Sequence, residues 1–273
     1  MARVIAITNQ KGGVGKTTTT VNLGIGLAQK GYKVLLIDAD PQGSLTVSLG
    51  VKNPDQLEES LATIMQAAID DKQIPLDSGI IHHPEGADLL PSNIDLSGVE
   101  TNLFNTMSRE FMLKNYVDAV RRDYDYILID CMPSLGVMTL NALVAADGVL
   151  IPSQPNFLSS KGLNLLVQTI GKVKRYINPK LSVDGILFTM VDSRTNNAKD
   201  TISTLRTRFG NSFRFFDTEI PHSVRAAESS LEGVSIFTHD KTGKVAAAYA
   251  ELAKEVIEVG RQTRTRFGDD RSR

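Results

Sequence analysis

A short stretch near the start of the chain combines glycine, lysine and threonine at a spacing that suits phosphate binding. It reads Lys11-Gly12-Gly13-Val14-Gly15-Lys16-Thr17-Thr18. The Gly-Lys-Thr part matches the phosphate-loop pattern G-x-x-x-x-G-K-[ST], although Gln10 stands where the first glycine would be. We expect Lys16 to reach the β- and γ-phosphates of a nucleotide and the Thr17 hydroxyl to ligate Mg²⁺. A strand–helix turn without a ligand is the alternative interpretation.

The residues on either side predict the elements that position this loop. Residues 4–7 form an apolar run rich in β-branched side chains, which is typical of a buried strand. Residues 17–30 have apolar side chains at helical spacing and end at Gly31, which indicates a helix. The N-terminus of that helix would point its free amides at the phosphates.

Two further apolar runs end in aspartate. Residues 34–37 precede Asp38 and Asp40, and residues 126–129 precede Asp130. Carboxylates at the carboxyl ends of parallel strands lie where open α/β sheets bind ligands. Asp130 has the Walker B arrangement, in which the aspartate holds Mg²⁺ directly or through water. The alternative for Asp38 and Asp40 is a turn and cap before Pro41.

Strand-like and helical patterns alternate along the chain and predict the fold class. Further strands are expected at 148–151 and 185–191, and helices at 56–69, 109–121, 135–145, 160–176 and 242–263. This order predicts an α/β protein with a doubly wound, mostly parallel sheet flanked by helices. We expect one domain over residues 1–263, with residues 51–87 as an excursion from the sheet, and a flexible basic tail over residues 264–273.

Composition excludes several classes of protein. Of 273 residues, 41% are hydrophobic and 22% are charged, and the net charge is −1, so any DNA-binding surface must be a local patch. No apolar run approaches the roughly 20 residues that cross a bilayer. The single cysteine, Cys131, fits a reducing cytoplasm and is expected to be a buried apolar side chain rather than a nucleophile.

Together these segments closely resemble the ParA/MinD branch of the deviant Walker-A ATPases, and specifically its ParA/Soj-type partition ATPases. The resemblance runs in order from residue 2 to about residue 260. It rests on residues 9–18, 36–43, 90–96, 129–134 and 189–195.

The resemblance implies that two subunits close face to face around two ATP molecules. Lys11 is then expected to reach the nucleotide of the other subunit, as an arginine finger does in trans. Asp40 is expected to position the attacking water, and Asp38 and Asp130 to lie near Mg²⁺ and in its outer shell. Asp192 and Pro221 are expected to flank the adenine. A solvated loop lysine is the alternative for Lys11.

The resemblance also implies that the ATP-bound dimer binds double-stranded DNA without sequence preference and that a ParB-type centromere-binding protein stimulates hydrolysis and release. Arg225 and Arg194 stand at matching positions for the DNA contact. Further basic side chains that could extend the patch, if they share a face, are Lys199, Arg206, Arg208 and Arg214. Ordinary solvated charges are the alternative. We expect a cytoplasmic, nucleoid-associated protein.

Two other function classes compete with this interpretation. A MinD-like ATPase that cycles on membranes would need a terminal amphipathic helix, and the tail from Arg261 offers a single Phe267. An ATPase that positions another cargo would have the same ATPase residues, so the sequence does not separate that alternative. An ATP-dependent synthetase or an electron-transfer reductase could share the fold. One cysteine disfavours the reductase, and no substrate-pocket motif for the synthetase is evident.

Overall fold

A computed structural model describes residues 1–73, 75–155, 159–192 and 194–268. It contains eight strands: β1 (Arg3–Ile7), β2 (Val34–Ala39), β3 (Ile81–His82), β4 (Asp88–Leu90), β5 (Tyr126–Cys131), β6 (Gly148–Ser153), β7 (Ser182–Val191) and β8 (Phe215–Pro221).

The strands are connected largely by helices. The helices of the described residues are α1 (Lys16–Ala28), α2 (Ser44–Ser48), α3 (Leu61–Ile69), α4 (Asp95–Leu103), α5 (Met112–Val120), α6 (Val137–Ala145), α7 (Ser159–Tyr176), α8 (Asn196–Phe209), α9 (Arg225–Glu232), α10 (Ile236–His239) and α11 (Lys244–Gly268). Short 3₁₀ turns at Pro54–Gln56 and Arg109–Phe111 precede α3 and α5.

The strands form one sheet in the order β3-β4-β2-β5-β1-β6-β7-β8. All neighbouring strands run parallel except β3 and β4. The strand order reverses direction around β1, so the carboxyl end of β1 is the topological switch point where such sheets bind ligands. The predicted fold class is confirmed.

Alternate residues of the central strands face two separate cores. In β1, Val4 and Ala6 pack with α3 to α8, whereas Ile5 and Ile7 pack with α1, α2, α10 and α11. Helices therefore cover both faces of the parallel sheet. Full burial on both faces explains why these strands are continuous apolar runs in the sequence.

Several predicted boundaries were wrong in instructive ways. The helix expected from residue 56 begins at Leu61, because the Ser60 hydroxyl accepts from the Ala62 amide and caps it there. The final helix continues to Gly268, five residues into the expected tail, and residues 269–273 lie outside the described part of the chain. Strands β3, β4 and β8 were not predicted.

A buried ion pair joins β1 to β7 at the end of the sheet away from the loop. An Arg3 guanidinium nitrogen lies 2.6 Å from an Asp184 carboxylate oxygen, and both side chains are buried. Gly148 makes room for this pair, since a Cβ there would lie 2.3 Å from the Asp184 carboxylate. The contact ties strands that are far apart in sequence.

Replacing Asp184 by asparagine should destabilise the fold strongly, because it leaves the Arg3 charge buried without a counter-ion. The expected loss in the free energy of unfolding is about 3–5 kcal/mol, measured by urea denaturation. The matched control is Glu251→Gln, which removes an exposed pair with Lys254 on α11 and should cost less than about 1 kcal/mol. Equal losses in the two variants would contradict this assignment.

Candidate nucleotide-binding site

The glycine-rich loop lies between the end of β1 and the start of α1. Gly13 and Gly15 have φ angles of 70° and 79°, a left-handed conformation that residues with a Cβ rarely adopt. The Thr189 hydroxyl donates to the Val14 carbonyl at 2.8 Å and anchors the loop on β7. Helix α1 begins at Lys16, and so its first amides face the space enclosed by the loop.

Lys16 is folded over the loop and is only 7% exposed. Its ammonium group donates to the Lys11 carbonyl at 3.3 Å. Burial lowers the pKa of Lys16, and the nearby carboxylate of Asp130 opposes that shift. An ammonium held in a poorly hydrated site is well suited to exchange this backbone contact for a phosphate oxygen.

Asp130, at the end of β5, holds the first turn of α1. Its two carboxylate oxygens accept from the Thr17 hydroxyl at 2.7 Å and from the Thr20 hydroxyl at 3.1 Å. Burial, and then the neighbouring charge of Asp38, raise the pKa of Asp130 to about 7. The bond fixes the Thr17 hydroxyl hydrogen and leaves its oxygen able to ligate a cation.

Asp38 and Asp40, at the end of β2, have different surroundings. Asp38 is buried and accepts from the Thr46 amide and hydroxyl at 2.8 and 2.7 Å and from the Asp40 amide at 3.2 Å. Burial raises its pKa to about 6, even though these bonds favour the charged form. Asp40 accepts from the Gln42 amide at 3.0 Å. Through these hydrogen bonds Asp38 stabilises the loop that carries Asp40.

The donor set fits Mg²⁺ bound together with phosphates. The part of the chain that the structure describes contains no cluster of three or more His, Cys, Asp or Glu side chains that could hold a metal alone. Mg²⁺ does not need one, because it commonly takes one or two protein oxygens and completes its octahedron with phosphate oxygens and water. The buried charge of Asp38 increases the preference of the Asp130 carboxylate for a nearby cation.

Lys11 lies on the rim of the loop and is half-buried. Its ammonium group is 3.4 Å from the Gln154 side-chain oxygen, and its amide donates to the Asn9 side chain at 3.1 Å. Asn9 is held in turn by the Pro152 carbonyl at 2.7 Å. The side chain of this second lysine is therefore held at the residue that follows β6.

A pocket of about 200 Å³ opens beside the loop. Gly15 and Thr18 form its phosphate-side wall, and Met190, Pro221 and Tyr249 are among the residues opposite. Pro221 lines this pocket, whereas Asp192 is not among the residues that line it. A mostly apolar pocket that adjoins a phosphate loop suits the base and ribose of a nucleotide.

The two arginines singled out for DNA lie in adjacent segments at this end of the sheet. The segments meet where the His222 amide donates to the Val191 carbonyl at 3.1 Å. Arg194 is 88% exposed and pairs with Asp192 through two hydrogen bonds of 2.9 and 3.0 Å, which lower the pKa of Asp192 to about 2. Arg225 begins α9, is 62% exposed, and lies 3.9 Å from Glu228. Arg225 is thus the less neutralised of the two.

The other basic residues proposed for the patch do not all join it. Lys199 is in the first turn of α8, close to Arg194. Arg208 lies about 18 Å farther along the same helix, at 1.5 Å per residue from Asn196. Arg206 points inward and donates to the Phe216 carbonyl at 3.1 Å, and Arg214 follows the end of α8. Arg208 and Arg214 therefore lie away from Arg194 near the far end of α8, whereas Arg206 lines the same groove as Lys199 but directs its guanidinium to the Phe216 carbonyl.

Sequence reasoning missed three residues of the site. The Gln154 amide donates to the Gly13 carbonyl at 3.0 Å and contacts the Met190 sulfur at 2.9 Å. Gln154 follows the end of β6, so the rule that identified the aspartates could have found it. Met190 has an uncommon φ of 53°, and Tyr249 comes from α11. The sequence around these two residues contains no motif that predicts a place in the site. Cys131 is buried, which raises the pKa of its thiol, as expected for an unreactive side chain.

His239 of α10 holds α9, the helix that carries Arg225. Its ring nitrogens lie 2.9 Å from Glu232 and 3.3 Å from Glu228, and these carboxylates raise the pKa of His239. A raised pKa means that the fold favours the protonated ring. This stabilisation is complete below the ordinary histidine value of 6.5 and is lost as the pH rises through the raised pKa.

His239→Gln should therefore flatten the decline in stability of the nucleotide-free protein as the pH rises above the ordinary histidine value of 6.5. The measurement is the urea midpoint across this range. The control is His83→Gln, since the ring of His83 accepts from the Glu85 amide rather than pairing with a carboxylate. An unchanged pH profile in His239→Gln would show that the two glutamates do not stabilise a charged ring.

Comparison with known proteins gives consistent matches. Residues 2–183 match the family described as AAA domain. The sporulation initiation inhibitor protein Soj of Bacillus subtilis is 43% identical over 260 residues, which cover 95% of this chain and 100% of Soj. The chromosome partitioning protein ParA of Caulobacter vibrioides is 40% identical over 257 residues, which cover 93% of this chain and 94% of ParA.

Among solved structures, a cobyrinic acid a,c-diamide synthase from Mycobacterium smegmatis with bound ADP and magnesium is similar throughout. Its TM-score is 0.82 at 37% sequence identity, and the match covers 94% of each chain. No helix among residues 1–73, 75–155, 159–192 and 194–268 is long and apolar enough to cross a membrane.

Proposed function

Because the chain belongs to the AAA domain family of ATPases and, within it, to the group that contains Soj and ParA, we propose that it is a DNA-partitioning ATPase. It binds ATP with Mg²⁺ and hydrolyses it. The observation that carries the proposal is the loop itself, in which Lys16 and Thr17 face the enclosed space while a second lysine, Lys11, stands on the rim.

The chain's own groups divide the work of binding. The amides of the loop and of the first turn of α1 cradle the phosphates, and Lys16 exchanges the Lys11 carbonyl for phosphate oxygens. Thr17 ligates Mg²⁺, and Asp130 orients the Thr17 hydroxyl from behind. When bound, Mg²⁺ neutralises charge that develops on the phosphates. The base and ribose lie in the pocket beside Pro221.

Asp40 is the group best placed to hold and deprotonate a water molecule. Asp38 and Asp130 are engaged by hydroxyl and amide donors through both of their oxygens, whereas only one Asp40 oxygen accepts such a bond in the part of the chain that the structure describes. Its loop is anchored by Asp38 through the Asp40 amide at 3.2 Å. The carboxylate is thereby held near Lys16 with one oxygen available.

Lys11 acts on the nucleotide of a second subunit. Its ammonium rests on Gln154, beside its own loop rather than inside it, and Lys16 already occupies the inward position. Two chains that meet across their loops would bring each Lys11 toward the other's phosphates. The added positive charge would offset the repulsion between two anionic nucleotides, which makes dimerisation depend on ATP.

Lys11→Ala should leave ATP binding largely intact and abolish ATP-driven dimerisation. Fluorescent-nucleotide titration measures the first property, and analytical ultracentrifugation with a slowly hydrolysed ATP analogue measures the second. The control is Lys30→Ala, which removes an exposed lysine at the far end of α1. A Lys11→Ala protein that still dimerises with ATP would disprove the role in trans.

The ATP-bound dimer binds double-stranded DNA through its phosphates. Arg225 and Arg194 support this proposal because they lie at the nucleotide end of the sheet, where closure of two subunits would bring four arginines together. Arg225 is the stronger candidate, since Asp192 accepts from the Nε and one terminal nitrogen of the Arg194 guanidinium and offsets its charge. Contacts of this kind are independent of sequence and weaken with salt.

Arg225→Glu should remove ATP-dependent binding to random-sequence duplex DNA while ATP-driven dimerisation persists. Binding is measured with ATP, with ADP and without nucleotide. The matched control is Lys52→Glu, which makes the same change of charge on the exposed surface of the 51–87 excursion. ATP-dependent binding to liposomes in place of DNA would instead favour the membrane-cycling class.

The proposed cycle has a partner and a place in the cell. A ParB-type centromere-binding protein stimulates slow hydrolysis, and the dimer then leaves DNA. The protein is cytoplasmic and associated with the nucleoid.

The similar synthase structure makes ATP-dependent amide synthesis the second candidate. The partition function is preferred because Soj is matched over its whole length at a higher identity of 43%. Wild-type protein without any ATP-dependent DNA binding would favour the synthase.

A further inference from the structure

A groove of about 400 Å³ opens between helix α8 and the end of strand β8. We call it the α8 groove. One face of α8 and the ends of β7 and β8 line it, through residues that include Val191, Lys199, Ser203, Arg206, Thr207 and Glu219. None of these residues lines the pocket beside the phosphate loop. The α8 groove is therefore a second cavity at the nucleotide end of the sheet, separate from the nucleotide site.

Three polar side chains that line the α8 groove are available to a ligand. Lys199, Ser203 and Thr207 are exposed and make no side-chain hydrogen bond or ion pair with any other described residue. The Thr204 hydroxyl, on the neighbouring face of α8, instead donates to the Asp200 carbonyl at 2.8 Å. Positions 199, 203 and 207 are four residues apart, so these side chains follow one another along a single helix face. They offer one ammonium and two hydroxyl groups.

The α8 groove carries a net positive charge. Lys199 and Arg206 contribute two positive charges, and Glu219 is the one carboxylate among the lining residues. Glu219 lies 3.9 Å from Arg206, which leaves the Lys199 ammonium without a counter-charge. Asp200 and Asp217 belong to the same elements but do not line the groove. A ligand that carries a carboxylate would complete the pairing.

Strand β8 is the last strand of the sheet, so its outer side has no neighbouring strand in the part of the chain that the structure describes. Side chains close the first half of this edge. Arg206 donates to the Phe216 carbonyl at 3.1 Å, and Glu255 of α11 accepts from the Asp217 and Thr218 amides at 2.9 and 2.8 Å. Closure of this kind prevents an exposed edge from pairing with another chain.

The second half of the edge, beside the α8 groove, is not closed in this way. Among the described residues, no side chain bonds the backbone of Glu219 or Ile220. An open strand edge presents both N–H and C=O groups, which match another extended backbone. A phosphodiester accepts hydrogen bonds but donates none, so a peptide matches this edge better than a nucleic acid does. Pro221 has no N–H and therefore limits the open edge to a short stretch.

The α8 groove and the nucleotide pocket are lined by adjacent residues of the same strands. Val191 lines the groove and Met190 lines the pocket, and the same relation holds for Glu219 and Ile220. A segment bound in the groove would therefore contact the immediate neighbours of residues that hold the nucleotide. This position suits a regulatory partner.

We propose that the α8 groove binds an extended, carboxylate-bearing segment of a protein partner. The segment adds a short strand to β8 beside Glu219 and Ile220. Its carboxylates pair with Lys199 and accept hydrogen bonds from Ser203 and Thr207. The groove is formed within one chain, so this binding requires neither the second subunit nor DNA.

The first test uses a capped hexapeptide of alternating glutamate and valine, which is both acidic and prone to an extended conformation. Its binding to the nucleotide-free, isotope-labelled full chain is followed by amide shifts in NMR spectra. We expect shifts at Val191, Ser203 and Glu219, and binding about fivefold weaker in Lys199→Glu, the range of one exposed ion pair. The matched control is Arg208→Glu, which makes the same charge change on α8 outside the groove and should bind as the wild type does.

Two N-methylated versions of the hexapeptide test the strand pairing. Alternate amides of an extended peptide face the same side, so only one set can pair with β8. Methylation of that set, either the glutamate or the valine amides, should abolish binding, and methylation of the other set should preserve it. Equal effects of the two methylations would contradict the addition of a strand.

The remaining outcomes separate this inference from the proposed function. No shift in the wild type, equal weakening in Lys199→Glu and Arg208→Glu, or equal binding of a lysine–valine hexapeptide would overturn the inference. Duplex DNA that produces the same shifts at Val191, Ser203 and Glu219 would also overturn it. ATP-driven dimerisation of Lys199→Glu checks that the variant is folded. A wild-type protein that lacks ATP-dependent DNA binding but binds the acidic peptide would sink the partition function alone.

Discussion

The hydrogen bonds from Thr17 and Thr20 to Asp130 are the contact on which the nucleotide end of the molecule depends. They fix the first turn of α1 against β5, and β5 pairs directly with β1, so that Ile7 stands beside Asp130. The loop between β1 and α1 is thereby held at both ends. A carboxylate placed there is buried, and burial without a full ionic partner is unfavourable. The arrangement is therefore completed electrostatically by a cation and its phosphates.

The parallel sheet separates the functions of the two ends of the molecule. Its carboxyl edge collects the loop, the aspartates and Arg225, whereas its amino edge holds the Arg3–Asp184 pair. In a parallel sheet every connection returns through a helix, and residues at opposite ends of one helix are therefore far apart. Under the proposed function, the nucleotide, the second subunit and DNA all contact the carboxyl edge, and ATP therefore controls both assembly and DNA affinity.

Much of this organisation could be predicted from the sequence, for physical reasons. Central strands buried on both faces are continuous apolar runs, and their polar ends mark the ligand edge; this rule located Asp38 and Asp130. Strand β8 was not predicted, because it is a partly exposed edge strand that contains Asp217, Thr218 and Glu219 and therefore lacks a continuous apolar run. The positive φ of Met190 was also invisible, since tertiary contacts impose it.

The surface was harder to predict than the core. Sequence spacing placed Arg194, Arg208 and Arg214 within about twenty residues of each other and suggested one patch. The direction of α8 separates them, and that direction follows only from the sheet topology. The ion pair between Asp192 and Arg194 could not be predicted either, because the spacing of these residues does not show that Asp192 neutralises Arg194 rather than facing the pocket.

The central claim is that Lys11 serves the nucleotide of the other subunit. The most direct measurement is a crystal structure of Asp40→Ala, in which hydrolysis should be blocked, with ATP and Mg²⁺. The account predicts a face-to-face dimer in which each Lys11 ammonium has left Gln154 and lies about 2.7–2.9 Å from phosphate oxygens of the partner's ATP. A Lys11 that stays on Gln154, or that contacts only the ATP of its own subunit, would contradict the account.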